Sequence, residues 1–209
     1  SRIVFDVGAN KGDWTARVTA MKPGLVVHSF EPSATTFQQL AARSFAGTVM
    51  RNPFGLGSKA EERTLHVFAE GSGNNSLYQR QGLEAGWGLS PQQLTETIRL
   101  DTLDHYCQQQ QVTRIDLLKL DVEGHELEVL RGATTMLQQV GIQLIQFEYA
   151  ACNIASGMLL KDLFEFLEPF GYQFYKIFPQ ALKHVPHYDQ RLENFRYQNW
   201  VASLGTLPT

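Results

Sequence analysis

Short apolar runs and segments of helical spacing alternate along the first quarter of the chain. Residues 3–7, 25–30 and 48–51 are rich in β-branched and aromatic side chains and end in Gly, Pro or Asn, which predicts buried strands. Residues 13–21 and 34–43 lie between these runs and show the spacing of helices. Strands that alternate with helices are typical of a parallel sheet with helices on its faces.

Between residues 61 and 100 this alternation is interrupted. Three segments have the pattern of strands: 64–68, 76–78 and 97–100. Two connections, 71–75 and 86–88, are rich in glycine and polar residues, which fits either plain surface loops or a lid over a ligand site. We therefore predict a β-rich insertion after the third strand of the main sheet.

The second half returns to the α/β pattern. Helical spacing is found at 101–111 and 158–170, and four further segments have the pattern of strands: 115–120, 142–147, 172–178 and 195–202. We treat the segment 179–193 as a polar connection. It has too little helical signal for a parallel crossover, so the last two strands are predicted to be antiparallel. A doubly wound sheet of seven strands with this last pair is the Rossmann-like layout of class I methyltransferases.

Composition narrows the class of protein. The 209 residues are 43% hydrophobic and carry a net charge of −3, which predicts one domain over 1–209 and argues against nucleic-acid or membrane partners. No apolar run approaches the ~18 residues that span a bilayer, and the two cysteines, Cys107 and Cys152, do not form a disulfide framework. We expect a soluble cytoplasmic protein. Because Ser1 stands just before a core strand, the sequence leaves open whether a segment precedes it.

The turn after the first strand is the first candidate ligand site. Gly8 and Gly12 allow a sharp bend that brings backbone N–H groups and a helix start towards a ligand, although such a turn can also be purely structural. A dinucleotide-binding turn has the pattern G-x-G-x-x-G, and Asn10 occupies the place of its middle glycine. The turn therefore favours S-adenosylmethionine, which has no phosphate, over NAD. A methyltransferase fold that serves only as a binding module is a further alternative.

Several segments carry a resemblance to a known family. They are VFDVGANKGDWT at 4–15, HSFEPS at 28–33, GLGS at 55–58, IRLDTLDHY at 98–106 and IDLLKLDVEGHELEVLRG at 115–132. Together they resemble the FkbM family of methyltransferases. The resemblance implies a class I methyltransferase fold, S-adenosylmethionine as cofactor, and O-methylation of a small-molecule acceptor with a free hydroxyl, such as a sugar or a natural product. The segment 79–95 departs from the family pattern and leaves the acceptor open.

The candidate cofactor contacts lie at the ends of the first three strands. Glu31 ends the second strand, where its carboxylate could accept both ribose hydroxyls or could favour the following helix start. Asp6 either braces the turn or meets the amino group of the cofactor, and Phe54 and Leu56 pack either on adenine or in the core. The full set of candidates is Asp6, Gly8, Asn10, Gly12, Glu31, Phe54 and Leu56.

The candidate catalytic residues follow the fourth and fifth strands, at the edge where open α/β sheets bind ligands. Asp121 is the first choice as the general base that takes the proton of an acceptor hydroxyl, and Glu148 is the second. Glu123 could instead cap the following helix, and His125 could be an ordinary surface histidine.

A metal route is the alternative to a general base. Asp121, Glu148 and Asn153 offer the oxygen ligands that Mg²⁺ prefers. Methyltransferases that act on catechols present an adjacent Asp-Asn pair here, whereas Glu148 is followed by Tyr149. We therefore predict methyl transfer without a metal.

Overall fold

The structure is a computed structural model that describes residues 2–68, 72–80 and 94–208. The strands of the main sheet are β1 (Arg2–Val7), β2 (Leu25–Phe30), β3 (Thr48–Asn52), β7 (Leu117–Leu120), β8 (Leu144–Tyr149), β9 (Gln173–Phe178), β10 (Ala181–Val185) and β11 (Gln198–Ser203). Those of a smaller sheet are β4 (Gly55–Leu56), β5 (Glu61–Val67) and β6 (Leu94–Asp101). The helices are α1 (Asp13–Met21), α2 (Ala34–Ala42), α3 (Leu103–Gln110), α4 (Glu126–Arg131), α5 (Thr134–Gln138), α6 (Cys152–Ser156) and α7 (Leu160–Leu167).

The main sheet has the strand order β10-β9-β11-β8-β7-β1-β2-β3. Strands β1, β2, β3, β7 and β8 are parallel, and β11 is inserted antiparallel between β8 and β9. This order confirms the doubly wound class I methyltransferase fold and its antiparallel last strand. The chain reverses order at β1, so the carboxyl ends of β1, β2, β7 and β8 meet at one edge, where such sheets bind ligands.

The sheet has eight strands, and the prediction of seven was wrong in that detail. Strand β10 lies within the segment 179–193, which we predicted to be a polar connection, and it pairs antiparallel with β9. Most of its side chains are exposed, because it is an edge strand with one neighbour. An edge strand without a buried face has no apolar alternation to reveal it.

The predicted insertion forms a separate sheet of order β4-β6-β5. Strand β6 pairs antiparallel with β5 and parallel with the short β4. The predicted strand at 76–78 is reduced to one bridge between Ser76 and His66. The lid hypothesis falls partly on 69–71 and 81–93, which lie outside the described residues and include the 86–88 loop.

The core lies on both faces of the main sheet. Phe5 belongs to the larger apolar cluster and its neighbour Val4, whose side chain points to the opposite face, to a smaller one. The buried residues of α7 are Leu160, Leu163, Phe164 and Leu167, one face of a helix with 3.6 residues per turn. Phe164 stacks on Phe174 of β9 with ring centroids 3.7 Å apart and meets Trp200 of β11 edge-on at 5.8 Å. None of the helices in the described ranges has the length and hydropathy needed to cross a membrane.

Candidate active site

The glycine turn after β1 contacts the ends of β2 and β7. Gly8 has φ +79°, and a Cβ on it would stand 1.9 Å from the carbonyl oxygen of Asp121, the residue that follows β7. The N–H groups of Gly8 and Ala9 also donate to the carbonyl of Phe30 at the end of β2, at 3.1 and 2.9 Å. Gly8 is therefore required because the turn lies directly against the neighbouring strand end.

Gly12 lies at the end of the turn and packs against side chains of the second helix and the segment after it. Its φ is +81°, and a Cβ there would come within 2.7 Å of Leu40 and 2.9 Å of Phe45. The missing side chain lets the start of α1 pack closely on α2, so the structure places Gly12 behind the turn and against other side chains.

Glu31 joins the turn to the start of α2. One carboxylate oxygen accepts from the backbone N–H of Asn10 at 2.9 Å, and the other accepts from that of Ser33 at 2.9 Å. Burial raises the pKa of Glu31 to about 7, although these two hydrogen bonds oppose the shift. The side chain thus serves the helix start and also lines a pocket, with lone pairs left over for a ligand.

This first pocket, which we call the cofactor pocket, lies over the ends of β1 and β2 and under the small sheet. Its apolar wall consists of Leu56, Leu65, Leu77, Ile98 and Leu100. Its polar wall consists of Gly8, Asn10, Glu31, Thr36, Asp121, Glu123 and His125. Two of these side chains have a buried polar atom without a hydrogen-bond partner in the described structure, Thr36 through Oγ1 and His125 through Nε2.

Phe54 and Leu56 lie in different places in the structure, one in the core and the other in the cofactor pocket. Leu56 lines the cofactor pocket, as adenine packing would require. Phe54 packs in the core against Phe30 and Tyr106, with ring centroids 5.6 and 6.0 Å away, and lies under the guanidinium of Arg99. The structure therefore places Phe54 according to the core alternative.

Asp6 is fully buried beneath the turn, in a row of charges. It accepts from Thr15 of α1 at 2.6 Å and from the ammonium of Lys119 at 3.0 Å, and Lys119 also donates to Asp121 at 3.2 Å. Burial lowers the pKa of Lys119, but the charges of Asp6 and Asp121 outweigh it and hold that pKa above its ordinary value. Asp6 therefore links α1 to β7, and its contact with the amino group of the cofactor stays a prediction. Lys119 was not among the predicted site residues, although it lies on β7 two positions before Asp121, a spacing that brings side chains to the same face of an extended chain.

A second, more open cleft lies on the other side of the turn. It contains two of the predicted catalytic carboxylates, Asp121 and Glu148. Glu148 accepts from the hydroxyl of Tyr197 at 2.7 Å. Burial, assisted by the nearby charge of Asp121, raises the pKa of Glu148 to about 7. We call this the acceptor cleft. It and the cofactor pocket share Gly8, Asn10 and Asp121.

The other two catalytic candidates face the cofactor pocket. Glu123 has φ +55° and forms an ion pair with Arg80, and burial raises its pKa despite that partner. His125 is 3% exposed, which rules out the alternative of a surface histidine, and its Nδ1 lies 2.8 Å from the hydroxyl of Tyr78. Burial lowers the pKa of His125 to about 4, so the ring is neutral at pH 7. Sequence reasoning missed Tyr78 and Arg80, because no local pattern links them to residues more than 40 positions later.

No group of three or more His, Cys, Asp or Glu side chains in the described part of the chain is placed to hold a metal ion. Asn153, the third predicted oxygen ligand, is buried and accepts from the N–H of Ala150 at 2.9 Å. The absence of a metal from the reaction stays a prediction.

Comparisons with known proteins agree with this geometry. The model of the methyltransferase FkbM domain matches residues 6–174. The hexuronic acid methyltransferase AglP of Haloferax volcanii is 29% identical over 146 residues, which cover 69% of this chain and 55% of the relative. The methyltransferase sdnD of Sordaria araneosa is 29% identical over 153 residues, 62% of this chain and 59% of the relative. This chain thus spans little more than half the length of these curated relatives.

Among solved structures, the plantazolicin methyltransferase BamL, crystallised with a triazolic desmethylPZN analog and SAH, covers 97% of this chain and 77% of its own. The TM-score is 0.50 and the sequence identity 7%. At that identity the likeness concerns the fold.

Proposed function

This chain belongs to the FkbM methyltransferase family, and from that premise we propose that it methylates a hydroxyl group of a sugar or natural-product acceptor. Its cofactor is S-adenosylmethionine, which when bound supplies a methyl group on a positively charged sulfur. The name of AglP, a hexuronic acid methyltransferase, supports a sugar acceptor. Because the match covers only 55% of AglP, the acceptor of this chain has to be inferred from the residues of this chain.

The cofactor pocket has the chemistry that S-adenosylmethionine needs. Glu31 would accept the ribose hydroxyls, because its carboxylate keeps unused lone pairs on the pocket side. Leu56 and the apolar residues of the small sheet would enclose the adenine ring. The unpaired Oγ1 of Thr36 and Nε2 of His125 would each gain a polar partner, and a buried polar atom without one is destabilising.

The observation that carries the proposal is the meeting of the two cavities at Gly8, Asn10 and Asp121. A methyl group held on one side of this junction can reach a hydroxyl held on the other. Such in-line positioning supplies a large part of the acceleration in a transfer reaction. A pocket for a non-catalytic ligand would have no need of the second cleft.

Glu148 is the residue that we propose as general base. Its pKa of about 7 leaves a large fraction of the carboxylate ionised at neutral pH and still basic enough to take the proton of an attacking hydroxyl. Asp121 is held by Lys119, so we assign it the task of orienting that hydroxyl. This ranking reverses the one drawn from the sequence alone.

The test combines cofactor binding with product analysis. S-adenosylhomocysteine should raise the melting temperature, because a ligand that binds only the native state stabilises it. Labelled S-adenosylmethionine should then give an alkali-stable methyl ether with one or more members of a panel of sugars and hydroxylated natural products. An alkali-labile methyl ester, or label on a nitrogen acceptor only, would refute O-methylation of a hydroxyl and leave the family assignment intact.

The same assay tests the metal. We expect equal rates with and without EDTA, since Glu148 provides the proton acceptor that a metal would otherwise replace. Activity that disappears with EDTA and returns with Mg²⁺ would show that our prediction was wrong.

A further inference from the structure

Besides the ion-paired Lys119, three cations from separate parts of the fold line the acceptor cleft. Arg17 comes from α1, Lys176 from β9, and Arg196 from the segment before β11. The ion pairs of the described residues include none of the three. Lys176 lies over the rings of Phe178 and Trp200, at 5.8 Å from each centroid. Side chains of one sign that line a cleft without acidic partners raise the local concentration of the opposite charge.

Two of the three acids that line the same cleft are ion-paired. Asp13 forms an ion pair with Arg43 at 2.6 Å, and Asp121 forms one with Lys119 at 3.2 Å. Glu148 accepts from Tyr197. The hydroxyl is neutral, so Glu148 keeps its own charge, but the four cations of the lining outnumber its three acids. The cleft is therefore positive, although the whole chain carries a net charge of −3.

Aromatic rings border the same space. Trp14, Phe178 and Tyr197 line the cleft, and the last two are 45% and 67% exposed. Exposed aromatic side chains beside convergent polar groups are typical of a ligand groove, where ring faces pack on the apolar side of a ligand.

We propose that the acceptor cleft selects a hydroxylated acceptor that carries a single negative charge, a carboxylate, which binds Arg17, Lys176 and Arg196 while its hydroxyl faces Glu148. This inference rests on the proposed function for the identity of the cleft. A single charge fits better than a doubly charged phosphate, because Asp121 and Glu148 also line the cleft and repel anions. Arginine presents a planar pair of donors that matches a carboxylate.

The experiment measures acceptor binding to the full chain saturated with S-adenosylhomocysteine, by calorimetry. The probes are phenyl β-D-glucuronide, which carries a carboxylate, phenyl β-D-glucoside, its neutral counterpart, and the 6-sulfate of that glucoside. We expect the glucuronide to bind about tenfold more tightly than the neutral glucoside, the scale of a charge-assisted hydrogen bond. The preference should weaken with added salt.

Two variants and one control locate the effect. Lys176→Gln and Arg196→Gln should each reduce the preference several-fold, with a smaller effect on the affinity for the neutral glucoside than on that for the glucuronide. Lys22→Gln removes one exposed charge just after α1, outside the cleft, and should leave the preference unchanged. Equal affinities for the two glycosides, no binding of the glucuronide at millimolar concentration, or a preference that survives both variants would overturn the inference. Tighter binding of the sulfate than of the carboxylate would overturn the choice of carboxylate.

Methyl transfer is measured in parallel, so that the two proposals can fail separately. A glucuronide preference that depends on Arg196 without any methyl ether would uphold the charge selection and count against O-methylation. Methyl transfer to the glucoside and the glucuronide at equal kcat/KM would do the reverse.

Discussion

The carboxylate of Glu31 serves two structures at once, the helix start beside it and the pocket in front of it. Its place at the end of β2 could be predicted, because the strand and the helix on either side have clear patterns. Glu123, three residues after β7, was predicted to lie on the acceptor side, but it lines the cofactor pocket beside His125. Both Glu123, at φ +55°, and Gly124, at φ +99°, have left-handed backbone conformations. A left-handed glutamate is rare enough that no sequence pattern announces it.

Replacement of Glu31 tests the cofactor pocket. Glu31→Ala should weaken S-adenosylhomocysteine binding by about 1.5–3 kcal/mol, the range for hydrogen bonds to a charged group. The control is Glu96→Ala, because Glu96 caps the same helix through the N–H of Ala34 at 2.7 Å. Calorimetry should find a much smaller loss for the control. Equal losses would mean that Glu31 acts only by holding α2.

Replacement of Glu148 tests the general base. Glu148→Gln should lower kcat by about 10²-fold or more, and the wild-type rate should rise with pH and level off above about pH 7. Asp121→Asn should lower the rate and move the inflection to a lower pH, because it leaves the base in place but removes a charge that helps to raise the pKa of Glu148. An inflection that persists in Glu148→Gln and vanishes in Asp121→Asn would assign the base to Asp121 instead.

At the scale of elements, the predictable part of the fold is the part with a buried face. Strands β1, β2 and β8 have apolar runs that leave little choice of structure. The edge strand β10 has no such run and was missed, and α3 begins at Leu103 instead of 101 because Asp101 ends β6 and Thr102 caps the helix. Close approach between elements cannot be inferred from local patterns, since it depends on residues distant in sequence.

Gly8 provides the test of such an approach. Gly8→Ala should destabilise the protein by about 3 kcal/mol or more, because the new Cβ would meet the carbonyl of Asp121 as well as an unfavourable φ. Gly157→Ala is the matched control, with φ +73° and no atom within 4 Å of the new Cβ, and should lose only about 1 kcal/mol. Unfolding in urea measures both. Equal losses would show that the turn can move off the strand end.

At the scale of the whole molecule, the buried carboxyls and the buried histidines have opposite effects on how the free energy of unfolding depends on pH. Burial raises the pKa of Glu126 to about 8 and that of Glu31 to about 7, and it lowers the pKa of His28 to about 4, as it does for His125. A carboxyl with a raised pKa keeps its proton to a higher pH in the native state than in the unfolded state. Stability therefore falls as pH rises from the unfolded pKa of 4.5 through the folded value. A histidine with a lowered pKa has the opposite effect, which is complete by its unfolded value of 6.5.

Above about pH 6.5 the contribution of the two histidines no longer changes, whereas that of the carboxyls still falls, so stability should decline. Glu126 dominates, because it is 1% exposed, one of its oxygens has no partner in the described structure, and the N–H groups of Val122 and Gly124 approach the other only at 3.4 and 3.3 Å. Its contribution to the free energy of unfolding should fall by about 2 kcal/mol between about pH 6.5 and 8.5.

Urea unfolding at both pH values should show the decline in the wild type and a clearly smaller one in Glu126→Gln, whose side chain stays neutral. The control is Glu165→Gln on the exposed side of α7, which should keep the full decline. An undiminished decline in Glu126→Gln would mean that Glu126 is ionised in the native state throughout this range and that other groups cause the pH dependence.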